Sequence, residues 1–81
     1  MRKYAPLRDY LRSRTDSFWE AGFEEINEIV ALPPGAYRSR EWWVNARHRR
    51  NGQAEAWLQA GWRTWEVDLS KKRVTFYRSV S

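Results

Sequence analysis

Trp62-Arg63-Thr64-Trp65-Glu66-Val67-Asp68-Leu69-Ser70-Lys71-Lys72-Arg73-Val74-Thr75-Phe76-Tyr77-Arg78 is the stretch on which the fold turns. Trp65, Val67 and Leu69 alternate with Thr64, Glu66 and Asp68. Beyond Ser70-Lys71-Lys72-Arg73, Val74 and Phe76 alternate with Thr75 and Tyr77. A period of two is the mark of a half-buried strand, so the stretch predicts a β-hairpin with a basic tip. Upstream, Ala54, Trp57, Leu58 and Ala60 fall on one face of a helix over about 53–60. Gly61 suits its C-terminal cap, and Asn51-Gly52 marks a turn before it.

Phe23, Ile26, Ile29 and Val30 predict a second helix over about 23–31, with Glu24 and Glu25 in the first turn, where the helix dipole favours negative charge. Leu32-Pro33-Pro34-Gly35 ends it, and Gly35 is placed to cap a further helix over 36–43. Adjacent Trp42 and Trp43 diverge by about 100° on a helix, so one is expected in the core and the other partly exposed. Ser17 to Gly22 suits one short strand. Tyr4, Leu7 and Leu11, with Pro6 in the first turn, predict a helix over about 4–13. The expectation is a single α+β domain over 1–81: three to four short helices, one extra strand and a C-terminal hairpin. That is the order of a small winged-helix-like domain containing a helix-turn-helix.

At 81 residues there is room for one small core. The absence of Cys excludes a disulfide scaffold and thiolate metal sites, and with one His a structural zinc site is not expected. No apolar run is long enough to cross a membrane, and charges interrupt any export signal, so a cytoplasmic location is expected. Thirteen aromatic residues, six of them Trp, stand in for staples and are expected mostly in the core.

Lys3-Tyr4-Ala5-Pro6-Leu7, Phe23-Glu24-Glu25-Ile26, Leu32-Pro33-Pro34, Trp42-Trp43-Val44-Asn45 and Ala56-Trp57-Leu58-Gln59-Ala60-Gly61-Trp62 carry a resemblance. Together with Val67-Asp68-Leu69 and Val74-Thr75-Phe76, they resemble a family of small, largely uncharacterised prokaryotic domains. The resemblance covers nearly the whole chain and implies a shared fold. It supplies no activity, although neighbouring nuclease-type domains in that family would suit nucleic-acid work. Gly22 and Gly35 stand where the family usually has Thr and Ser; both still serve as caps.

Arg38, Arg40, Arg47, Arg49 and Arg50, with His48, fall within thirteen residues against one acid, Glu41. Residues 41–81 carry eight Arg/Lys and four acids, a net +4, whereas residues 1–40 carry seven and six, a net +1. Guanidinium groups pair bidentately with phosphates and guanine edges. The expected nucleic-acid-binding set is Arg38, Arg40, Asn45, Arg47, His48, Arg49, Arg50, Lys71, Lys72 and Arg73. Asn45 suits either adenine recognition or a structural turn. No nucleophile motif accompanies His48, and no phosphate-binding loop, dinucleotide fingerprint or metal-ligand spacing is present. The leading expectation is therefore a DNA-binding domain without catalysis or cofactor, with double-stranded DNA as partner. A protein-interaction or inhibitor module of phage or defence type is the alternative, because Trp with Arg is also hot-spot composition. Binding of RNA or single strands by stacking is a third.

Overall fold

The computed structural model describes residues 2–46 and 52–79. A 3-10 turn over Arg2–Tyr4 leads into α1 (Ala5–Ser13), with Pro6 in its first turn and Leu7 and Leu11 buried. Strand β1 (Phe18–Gly22) runs directly into α2 (Phe23–Ile29). Gly22 caps that helix, and the Glu25 carboxylate accepts a hydrogen bond from the Gly22 N–H at 2.9 Å, one half of a capping box. Asn27 Oδ1 accepts from Leu32 N at 2.9 Å and fixes the exit from α2.

The helix expected over 36–43 is two pieces. Helix α3 (Pro34–Arg38) starts one residue after Pro33, so Gly35 lies inside it and does not cap it. Ser39 is extended, and its Oγ accepts from Glu41 N at 3.1 Å, restarting the chain as a 3-10 helix over Arg40–Trp43. A Ser at an N-cap competes for the backbone in this way, which is why the break falls there. Helix α4 (Gln53–Gln59) follows Gly52 and precedes Gly61, both at positive φ (73° and 85°). Glycine adopts that conformation without the Cβ penalty.

The hairpin is β2 (Trp62–Asp68) and β3 (Arg73–Arg78). With β1 they form a three-stranded antiparallel sheet in the order β1-β3-β2. Phe18 faces Tyr77 and Ala21 faces Val74 across β1 and β3. In β2 the register shifts between Thr64 and Glu66, a bulge centred on Trp65. The expected phase holds beyond the bulge, where Val67 pairs with inward Val74, and is reversed before it. Trp62 and Thr64 point inward, whereas Trp65 is 71% exposed.

The helices cover the inner sheet face. Phe23, Trp43 and Trp57 stack successively, with centroids 5.0 and 6.0 Å apart, and Trp19 stacks on Phe76 at 5.7 Å. Buried indoles need partners. Trp43 Nε1 donates to Ala36 O (2.8 Å) and Trp62 Nε1 to Leu11 O (3.1 Å). As the adjacent pair predicts, Trp43 is buried and Trp42 is partly exposed.

Candidate nucleic-acid interface

Arg38 closes α3 and Arg40 opens the 3-10 helix, on either side of extended Ser39. Both are exposed, and neither makes an ion pair among the described residues. Arg40 and Asn45 face β2 across a groove of about 830 Å³ that runs along Thr64–Asp68 to Ser70. Arg38 lies outside that groove. Arg47, His48, Arg49 and Arg50 lie outside the described residues. In sequence they immediately precede Asn51-Gly52 and α4, and they carry three of the five net positive charges.

The hairpin turn is built by Asp68. Its Oδ1 accepts from Ser70 Oγ (2.8 Å) and from Lys71 N (3.0 Å). The Ser70 hydroxyl first, then the Lys71 amide, hold the Asp68 carboxyl below the ordinary carboxylate range. Lys72 sits at φ 55°, and its carbonyl accepts from Phe23 N at 2.8 Å, tying the turn to the start of α2. Arg73, expected in the tip, is the first residue of β3 and lies 3.6 Å from Glu20.

The surroundings of these three cations are acidic. Lys71, Lys72 and Arg73 line one hollow with Glu24 and Glu25, and Lys71 and Arg73 line another with Glu20, Glu66 and Asp68. Three cations therefore share their environment with five carboxylates. None of the three lines the groove that holds Arg40, so among the described residues the tip and Arg40 do not share a pocket. The tip is basic in its own sequence but largely compensated in space.

Asn45, although exposed, is committed to structural hydrogen bonds. Its Nδ2 donates to Thr64 O (3.0 Å), and its Oδ1 accepts from Thr64 N (3.0 Å) and from Trp57 Nε1 (2.9 Å). The Thr64 hydroxyl donates to Trp43 O at 2.6 Å. The Asn45 amide thus pairs with both backbone groups of one residue on edge strand β2, as a neighbouring strand would, and blunts that edge. With both lone pairs of Oδ1 engaged, it has no acceptor left for a bidentate contact with adenine.

Two further Arg are structural. Arg78 donates to Arg14 O (2.6 Å) and Asp16 O (3.1 Å), and its guanidinium lies 4.9 Å from the Trp62 ring. Arg14 forms two hydrogen bonds with the Asp16 carboxylate (2.9 and 2.6 Å), which hold that carboxyl below its usual range.

The sequence reading missed the outer face of the sheet. Phe18 is 52% exposed, and with Trp65 and half-buried Tyr77 it lines an open hollow of about 360 Å³. A cue was available: if Trp62 points inward, strict alternation sends Thr64 inward and Trp65 outward, so the apolar set starting at Trp65 is out of phase with Trp62. Among the described residues no group of acids and His could hold a metal ion, and no helix is long and apolar enough to cross a membrane.

The model of one protein family, described as a domain of unknown function (DUF7662), matches residues 4–79. No curated protein and no solved structure matches the chain.

Proposed function

The chain belongs to the DUF7662 family, whose description carries no activity, and we propose that it is a winged-helix-like domain that binds double-stranded DNA without catalysis. The observation that carries the reading is the localisation of charge. Three of the five net positive charges fall in residues 47–50, directly ahead of α4, and exposed Arg38 and Arg40 adjoin that segment in sequence. Helix-turn-helix proteins meet base edges with the N-terminal residues of the helix they insert. The element order supports the same reading: α1, β1, α2, a short helical connection, α4 and a hairpin, with β1 beside β3.

On this reading Arg38, Arg40, Arg47, Arg49 and Arg50 contact phosphates, with His48 among them. The α4 side chains that reach solvent are Glu55, Leu58 and Gln59, so affinity comes from the approach to the helix rather than its flank. Lys71 and Lys72 are auxiliary, because nearby carboxylates repel the backbone they would touch. Asn45 is a positioning residue for the edge of the groove.

The test is fluorescence anisotropy of a labelled duplex against salt. Five phosphate contacts predict a log–log slope of about −4 to −5. The triple variant R47A/R49A/R50A should flatten the slope by about 3, and Lys72→Ala by less than about 1. An absence of duplex binding at low salt, or a slope that the triple variant leaves unchanged, overturns the proposal. Tighter binding of single strands or RNA than of duplex overturns it in favour of base stacking.

A further inference from the structure

We propose that the outer face of the sheet is a second site: a docking surface for a protein partner, which inserts an arginine or lysine side chain between Phe18, Trp65 and Tyr77 with Glu66 and Glu20 as counter-charges. Among the described residues, the three rings alone line their hollow. Phe18 and Trp65 have centroids 6.0 Å apart and Trp65 and Tyr77 6.4 Å, both pairs at 79° between planes. Rings at steep angles around an open space are the arrangement in which aromatic faces attract a cation.

The bulge completes this site. Alternation from fully buried Trp62 sends Trp65 outward, and the extra residue between Thr64 and Glu66 keeps Glu66 exposed on the same face beside it. Bulges on edge strands re-aim side chains in this way. Exposed aromatic rings clustered together, rather than scattered singly, are a mark of a contact surface.

Charge decides the occupant. Phe18, Tyr77 and Arg63 form one cross-strand row, and Glu20, Thr75 and Glu66 form the next. Two residues along a strand span about 7 Å, within the reach of a long cationic side chain. Glu66 makes no ion pair among the described residues, whereas Glu20 has Arg73 at 3.6 Å. A single-strand platform pairs its rings with a positive groove. Here Arg63, Lys71 and Arg73 are offset by Glu20, Glu66 and Asp68, so the face offers a polyanion no net positive groove. Trp, Tyr and a partner's Arg are also the side chains that dominate protein interfaces.

The test is an NMR titration of the ¹⁵N-labelled chain with acetyl-Leu-Arg-Leu-amide, set against acetyl-Leu-Glu-Leu-amide and oligothymidylate. The Arg peptide is expected to shift Phe18, the Trp65 indole N–H and Tyr77. Trp65→Ala should weaken the response about 5- to 10-fold and Glu66→Gln about 2- to 3-fold. Arg63→Ala should strengthen it, because a like charge is removed. All three positions are exposed, and an unchanged spectrum elsewhere verifies the fold. An absence of shifts at the three rings, or an equal response to the Glu peptide, overturns the proposal. A stronger response to oligothymidylate, or concentration-dependent shifts of the same residues without peptide, overturns it in favour of nucleic acid or a second copy of the chain.

Discussion

The two faces of the sheet carry similar side chains and have opposite fates. The inner face presents Trp19, Trp62 and Phe76, with Trp43 and Trp57 packed over them, and each of these rings is at most 7% exposed. The outer face presents Phe18, Tyr77 and Trp65, and no helix among the described residues covers them. Aromatic content alone therefore does not separate core from contact surface. The separating factor is phase. A strand turns every side chain over when it gains one residue, and the bulge at Trp65 does so halfway along β2.

Breaking the inner face should have the largest effect. Trp57→Ala removes a fully buried ring stacked on Trp43 and strips Asn45 of a donor. It should cost about 3–5 kcal/mol in urea unfolding, enough to depopulate the folded state of a chain this small. Trp65→Ala in the same assay should stay within about 0.5 kcal/mol of the parent. Similar losses for the two variants would erase the distinction between the faces.

Asn45→Ala comes next. It leaves the Thr64 N–H and C=O and the Trp57 N–H without their partner, for an expected loss of about 1–3 kcal/mol. It also reopens the β2 edge, so light scattering should report self-association at concentrations where the parent stays monodisperse. A variant that is destabilised but does not associate would mean that Asn45 braces the core without guarding the edge.

The smallest effect sharpens the comparison at the hairpin turn, where the two faces meet. The folded-state pKa of Asp68 is depressed below its ordinary value of 3.8. The stability it contributes is therefore fully present above that value and lost as pH falls through the folded-state value. Thermal melts from about pH 6 to about pH 3 should show a shallower acid loss for Asp68→Asn than for the parent. Identical acid limbs would remove the turn from the list of pH-sensitive elements. Asp16, held low by Arg14, supplies a separate acid-sensitive contact in the loop before β1.

Much of the fold was legible because its signals are local. The helices at α1, α2 and α4, strand β1 and the hairpin lie within a few residues of where their periodicity and caps place them. The split at Ser39 carried a local signal too, an N-cap residue followed two positions later by the amide that it binds, but helical apolar spacing across 36–43 masked it. The candidate interface was legible only in part. The Arg run shows in composition, yet Arg78 and Arg14 look identical to Arg38 and Arg40 in sequence and are occupied by backbone carbonyls and a carboxylate.

By itself the sequence determined the element order, the α+β class, the reliance on aromatic packing, and the concentration of positive charge ahead of α4. Each follows from side-chain periodicity, backbone preference or charge counting, which act over a few neighbouring residues. Tertiary structure alone decided that β1 joins the hairpin beside β3, that Asn45 closes a strand edge, that carboxylates from α2 and the sheet surround the basic turn, and that Glu66 shares the outer face with Trp65. These depend on which groups, distant along the chain, come within a few ångströms of one another, and on a one-residue change of register that only pairing with β3 reveals.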